Sequence, residues 1–100
     1  MKVAVVTGAS SGIGDATARR LDRDGWRVIL VALRADRLEQ LAAELRDAHP
    51  LALDLTDSDA PARVRERVEQ EEGLHLLVNN AGSSARASFG DENGGHANIR

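Results

Sequence analysis

Short apolar runs alternate along the chain with longer segments in which apolar residues recur every three or four positions. The runs are typical of strands buried on both faces, because they are rich in Val, Leu and Ile and are too short for helices. We predict four strands, at Val3–Thr7, Arg27–Ala32, Leu51–Leu55 and Leu74–Asn79. Because the strands are separated by helical segments, the pattern indicates an α/β fold with parallel strands joined by right-handed crossovers.

The segments between the strands predict three helices. The first covers residues 12–24, the second residues 35–48, and the third begins at Pro61 and ends at Gly73. In the first helix, Ile13, Thr17 and Leu21 are four residues apart and form the predicted apolar face. Gly25 is suited to the position after this helix, which commonly adopts the left-handed backbone conformation.

The pattern divides the chain into a folded unit, residues 1–82, and a tail, residues 83–100. Gly, Asn and Ser are frequent in the tail, where only Phe89 and Ile99 are large and apolar. We therefore expect residues 83–100 to be mostly irregular and mobile.

Composition limits the classes of function open to this chain of 100 residues. Its net charge is −3, which argues against nucleic acid as a main partner, because phosphate binding requires a basic surface. It has no cysteine, so disulfides, thiolate metal sites and cysteine nucleophiles are excluded, and its three histidines lack metal-ligand spacing. No apolar run approaches the length of a membrane span. Met1 and Lys2 lead directly into the first strand without a leader-like pattern, so we expect a cytoplasmic protein.

A glycine-rich segment lies between the first strand and the first helix, where a phosphate-binding loop is expected. Gly8 allows a sharp turn, Gly12 leaves room for a pyrophosphate, and Gly14 lets the helix approach the sheet. The backbone N–H groups and the positive end of the helix dipole then face the phosphates. The remaining candidate residues of this loop are Ser10, Ser11 and Ile13, of which the serines supply hydroxyl donors. A glycine-rich turn with a helix cap is the alternative interpretation.

The loop has the spacing Thr-Gly-x3-Gly-x-Gly, which resembles the short-chain dehydrogenase/reductase family. Further matches follow in the family's order: residues 31–39 at the second strand, Asp54-Leu55-Thr56-Asp57 after the third, and Asn79-Asn80-Ala81-Gly82 after the fourth. The resemblance covers residues 1 to 82. It implies an incomplete three-layer Rossmann-type sheet, doubly wound, with strands in the order 3-2-1-4, and it makes residues 1–82 a dinucleotide-binding half-domain.

The resemblance also implies roles for single residues. Asp54 accepts a hydrogen bond from the adenine amino group and Leu55 packs beside the ring. Asn80, Ala81 and Gly82 line the adenine ribose and the route towards the nicotinamide. Helix capping is the alternative for Asp54, and a simple turn is the alternative for residues 79–82.

The end of the second strand decides between NADP and NAD. An acid there would bind the ribose 2′-hydroxyl of NAD, but the chain has Ala32 and Leu33. Arg34 follows, and its planar guanidinium is able to donate two hydrogen bonds to a 2′-phosphate. We therefore expect NADP in preference to NAD. A solvated charge at the start of a helix is the alternative for Arg34.

Complete family members transfer hydride with a Tyr and a Lys four residues apart, but this chain has no Tyr, and Lys2 is its only Lys. We assign no catalytic residue. One hypothesis is therefore the cofactor-binding portion of an oxidoreductase that does not transfer hydride alone, with its substrate unknown. The other is a stand-alone nucleotide-binding or interaction module without redox activity. In the second hypothesis the fourth strand is an uncovered sheet edge, which favours association with a partner or self-association.

Overall fold

The computed structural model describes residues 1–10 and 12–80, together with the backbone of residues 96–98. The strands are β1 (Val3–Thr7), β2 (Arg27–Ala32), β3 (Ala48–Ala52), β4 (Leu76–Asn79) and β5 (His96–Asn98). The helices are α1 (Gly12–Arg23), α2 (Ala35–Glu44) and α3 (Ala60–Val68). The predicted α/β order is therefore confirmed from the first strand to the fourth.

All paired strands are parallel, in the order β3-β2-β1-β4-β5. This order contains the predicted arrangement 3-2-1-4. From β1 the chain builds towards β2 and β3 on one side, and it then returns to place β4 on the other side of β1. The winding direction changes between β1 and β4, and in open α/β sheets ligands bind in the crevice outside the carboxyl ends of such strands.

Helices cover the sheet on two faces, which gives three layers. Alternate residues of β2 point to opposite faces, so Val28 and Leu30 pack with α1 and α2 while Ile29 and Val31 pack with α3. All four side chains are fully buried. The continuous apolar runs of the sequence thus follow from burial of both faces of the sheet.

The third strand lies three residues upstream of its predicted position, and α2 ends at Glu44 and not at residue 48. Pro50 lies inside β3. Proline has no backbone N–H to donate to a neighbouring strand. It is tolerated in β3 because β3 is an edge strand, where that group would point to solvent. Asp54 and Leu55 consequently follow the strand and do not belong to it.

The buried face of α1 also differs from the prediction by one residue. Gly14 and Ala18 face the sheet, whereas Ile13 is 45% exposed. Small residues are required on this face because α1 lies close to β1. Gly25 follows the helix with φ +91°, as predicted, and the Trp26 N–H donates to the Leu21 carbonyl.

Asp22 is a buried acid on the same face of α1. Its Oδ1 accepts the backbone N–H groups of Arg46 at 2.9 Å and Asp47 at 3.1 Å. The carboxylate therefore fixes the turn between α2 and β3, and it explains how α2 ends early without leaving these two amide groups unpaired.

The third helix and the fourth strand are both shorter than predicted. After Val68 the backbone tightens, with the Glu71 N–H donating to the Val68 carbonyl three residues earlier. The Glu71 side chain binds Arg27 at 2.9 Å and Arg67 at 2.8 Å, so the segment turns towards β2 and α3 does not continue to Gly73.

Residues 96–98 form a short strand that the sequence did not predict. They form β5, which pairs in register with Leu77, Val78 and Asn79 of β4, so they are not irregular. The β4 edge, which we expected to be uncovered, is therefore paired with a strand. Self-association through a sheet edge stays a prediction. The rest of the predicted tail lies outside the described residues.

Candidate functional site

The glycine loop joins β1 to α1 at the carboxyl edge of the sheet. Gly8 and Gly12 have φ values of +66° and +52°, which side chains rarely adopt. Between them the Ala9 N–H donates to the Val31 carbonyl at 3.3 Å. The loop is thereby attached to the end of β2 before the chain enters the first turn of α1.

Gly12 and Gly14 lack side chains for different reasons. A Cβ built on Gly12 meets no atom within 4 Å, so the backbone here faces open space. A Cβ on Gly14 would overlap the carbonyl oxygen of Gly8 and would lie 2.7 Å from Nδ2 of Asn80. Gly14 therefore permits close packing inside the protein, whereas Gly12 leaves an accessible backbone at the N-terminus of α1.

A hydrogen-bond network joins the ends of β1 and β4. The buried Thr7 hydroxyl lies 3.3 Å from the Val78 carbonyl and 3.1 Å from Oδ1 of Asn79. Its oxygen also accepts the Asn80 N–H at 2.9 Å. Asn80 Nδ2 donates a long hydrogen bond of 3.5 Å to the Gly8 carbonyl. The network therefore holds the Thr7–Gly8 and Asn79–Asn80 segments side by side, although they are more than 70 residues apart in the sequence.

Asp54 lies just beyond β3 at the same edge. The Leu53 N–H donates to the Ala32 carbonyl at 2.9 Å, which keeps this segment against the end of β2. Asp54 Oδ1 accepts the hydroxyl of Thr56 at 2.6 Å and its N–H at 2.9 Å. These bonds, the hydroxyl first, lower the pKa of Asp54, so its carboxylate is ionised at neutral pH. Leu55 is half-buried against the core on the α3 side.

Arg34 follows β2 by two residues and precedes α2. Its guanidinium binds the Asp36 carboxylate through Nε at 3.3 Å and Nη2 at 3.2 Å. Both side chains are exposed, and the neighbouring Leu33 is 66% exposed. Arg34 is therefore an accessible cation at the sheet edge that carries the glycine loop.

The structure brings some of the predicted residues into direct contact and aligns others by strand order. Gly8, Gly14 and Asn80 touch one another. Arg34 and Asp54 follow the neighbouring strands β2 and β3. Ser10 is half-buried within the loop. The remaining predicted residues, Ser11, Ala81 and Gly82, lie outside the described residues.

Two structural contributors were not assigned roles from the sequence. Thr7 and Asn79 form the link between β1 and β4. The signal was available, because both polar residues end otherwise apolar strands, and the expected strand order makes those strands neighbours. In the described part of the chain no group of three or more His, Cys, Asp or Glu side chains forms a metal site. None of the helices described is long and apolar enough to span a bilayer.

A parallel sheet whose first strand runs through a glycine loop into a helix at the switch point defines a Rossmann-type α/β protein. The sequence matches the family described as short chain dehydrogenase over residues 2–95. The chain therefore belongs to the short-chain dehydrogenase family of oxidoreductases, as the motifs indicated.

Curated relatives resemble the chain over only part of their own length. Serine 3-dehydrogenase of Agrobacterium fabrum is 49% identical over 80 residues, which are 78% of this chain and 32% of that protein. An uncharacterized oxidoreductase of Mycobacterium bovis is 40% identical over 96 residues, 88% of this chain and 28% of that protein. The chain thus spans about a third of the length of these relatives.

Solved structures share the fold. An alcohol dehydrogenase of the archaeon Thermococcus sibiricus, complexed with 5-hydroxy-NADP, aligns with a TM-score of 0.77 and 40% identity over 82% of this chain and 37% of that chain. The L-sorbose reductase of Gluconobacter frateurii, complexed with NADPH and L-sorbose, aligns with a TM-score of 0.76 and 39% identity over 82% of this chain and 34% of that chain.

The different surroundings of Gly14 and Gly12 predict different costs of substitution. We expect Gly14→Ala to lower the free energy of unfolding by about 3 kcal/mol, because its Cβ would overlap backbone atoms of Gly8. Gly12→Ala has open space and should cost only the strain of its positive φ, about 1–2 kcal/mol. Urea unfolding of both variants measures the difference, and equal losses would contradict the packing role of Gly14.

Proposed function

We propose that the chain binds NADP(H) in the crevice at the carboxyl ends of its strands, as the cofactor-binding portion of a short-chain dehydrogenase. The observation that carries the proposal is the bare backbone of Gly12, which lies at a positive φ and faces open space at the start of α1. Backbone N–H groups and the helix dipole attract anions at such a position. Family membership and the NADP-type complexes of similar structures support this assignment.

In this proposal the pyrophosphate lies over the loop from Gly8 to Gly14, with the hydroxyls of Ser10 and Ser11 as additional donors. The exposed side chain of Ile13 provides an apolar contact beside the phosphates. Asp54 accepts the adenine amino group through Oδ2, which has no partner among the described residues. Leu55 packs near the adenine. Asn80, Ala81 and Gly82 continue the site along the ribose towards the nicotinamide.

We further propose that Arg34 makes NADP(H) the preferred cofactor. Its guanidinium is accessible, and it lies at the end of the strand that follows the glycine loop and α1. A planar guanidinium pairs with phosphate through two parallel hydrogen bonds, and neither Ala32 nor Leu33 offers the carboxylate that NAD would require.

Hydride transfer in this family requires an acid–base pair that the chain does not contain. It has no Tyr, and its only Lys, Lys2, precedes β1 at the opposite edge of the sheet. There Lys2 Nζ lies 5.4 Å from the ring centre of Trp26. We therefore propose that the chain binds the cofactor without oxidising it.

Gly12→Val tests the assignment of the loop. The isopropyl group would fill the open space above the backbone, and we expect NADPH binding to weaken by roughly tenfold or more, equivalent to about 1.4 kcal/mol. Titration calorimetry measures the affinity. Unchanged affinity would exclude the loop as the pyrophosphate site.

Gly25→Val is the matched control for that experiment. Gly25 also has a positive φ and open surroundings, but it lies at the other end of α1. The control should lose stability and retain NADPH affinity, which separates backbone strain from steric exclusion of the ligand.

Arg34→Ala tests the cofactor preference. We expect NADPH to bind roughly tenfold more weakly, because hydrogen bonds to a charged group contribute about 1.5 kcal/mol or more, while NADH affinity changes by less than about twofold. Arg37→Ala is the control, since it removes an exposed arginine three residues further along, in the first turn of α2. Equal losses for both cofactors would show that Arg34 does not contact the 2′-phosphate.

The proposed inability to transfer hydride is tested with the purified chain and NADPH. We expect no loss of absorbance at the reduced-nicotinamide band with aldehyde or ketone substrates, because the sequence has no Tyr to protonate the carbonyl oxygen and no Lys four residues after one. Reproducible oxidation that scales with the concentration of the chain would refute this part of the proposal.

A further inference from the structure

The cation assigned to the 2′-phosphate already has an anionic partner. Two nearly equal contacts, 3.3 Å from Nε to Oδ1 and 3.2 Å from Nη2 to Oδ2, join the Arg34 guanidinium to the Asp36 carboxylate. This is the two-point geometry that a guanidinium also uses for phosphate. The side chains are 60% and 67% exposed, so a ligand has access to both partners.

The pair forms because of where each residue lies at the start of α2. Arg34 is the residue before the helix, with extended backbone at φ −86° and ψ 98°, and this directs its side chain differently from those of the helix. Asp36 lies in the first turn. The hydrogen bond from Arg34, followed by that from the Arg37 N–H, lowers the pKa of Asp36. Its carboxylate is therefore charged at neutral pH.

We propose that Asp36 is a specificity-determining residue that competes with the cofactor's 2′-phosphate for Arg34. This inference rests on the proposed binding of NADP(H). A 2′-phosphate must either displace the carboxylate from the guanidinium or bind beside it against its negative charge. Both routes weaken NADP(H) and neither affects NAD(H), which carries no phosphate at that position. Asp36 thus limits the cofactor preference that Arg34 creates.

The test uses Asp36→Asn and two small probes, adenosine 2′,5′-bisphosphate and 5′-AMP, at fixed ionic strength. We expect the bisphosphate to bind about three- to tenfold more tightly to the variant, because the competing charge is lost, and 5′-AMP to change by less than about twofold. Titration calorimetry gives both affinities. Asp36→Ser is a second variant, because serine is also favourable at the start of a helix.

Glu39→Gln is the matched control, since Glu39 is an exposed acid further along the same helix. It removes the same charge from the chain, and we expect it to leave the ratio of the two affinities unchanged. In the double variant Arg34→Ala with Asp36→Asn, the gain should disappear, because the carboxylate acts by occupying Arg34.

The outcomes separate this inference from the proposed function. If Arg34→Ala weakens the bisphosphate selectively while Asp36→Asn and Asp36→Ser leave it unchanged, the competition is refuted and the cofactor assignment stands. An equal gain in Glu39→Gln would also refute it, since net charge would then explain the effect. If the unmodified chain binds neither probe, the proposed function fails, and the role of Asp36 fails with it.

Discussion

The candidate site depends on the close approach of α1 to the junction of β1 and β4. The Thr7 hydroxyl lies within hydrogen-bond distance of the end of β4, and Gly14 brings the helix against the backbone of Gly8. Without this contact the N-terminus of α1 would lie away from the sheet. The crevice between the ends of β1 and β4 would then lack the helix N-terminus that lines it. Gly14 permits this approach because it has no side chain. The constraint at this position is therefore steric and does not come from an attractive contact.

In the proposed function, phosphate recognition relies on backbone groups more than on side-chain charge. The net charge of the chain is −3, and the first turn of α1 contains Asp15, which binds Arg19 at 2.6 Å. Amide dipoles at a helix start attract an anion locally, even on a protein of the same overall sign. In this proposal, cofactor selection depends on Arg34, the charged group after β2, and on the acid that competes for it.

Most of the fold was predictable because burial on both faces leaves a strong signal. The runs that became β1 and β2 are uninterrupted and apolar, and their bounds were predicted correctly. The third strand was misplaced because β3 is an edge strand in which no residue is fully buried, so its sequence, Ala48–Ala52 with Pro50 inside, lacks that signal. The buried face of α1 was misassigned because Ile13 is more apolar than Gly14, whereas the packing at this point requires the smaller residue.

The motifs of the site were visible in the sequence, but their physical connections were not. A linear sequence does not show that Asn80 contacts Gly8, or that Arg34 is already paired with Asp36, because both facts depend on side-chain geometry. Spacing of two residues in particular does not predict a contact on a regular helix. The pair exists because Arg34 precedes the helix in an extended conformation, which only the structure reveals.

Charged groups have different roles at the two edges of the sheet. At the amino edge Arg27 binds both Asp47 and Glu71, which joins the start of β2 to β3 and to the segment after α3. Hydrogen bonds from Arg67 and then Arg27 lower the pKa of Glu71, so this contribution to stability is present above the ordinary glutamate pKa and is lost as the pH falls through the lowered value. At the carboxyl edge the Arg34 pair is exposed and joins residues only two positions apart, so breaking it separates no elements of the fold. A ligand can therefore take the place of Asp36 at little cost to the rest of the protein, which is the property that an exchangeable anion site requires.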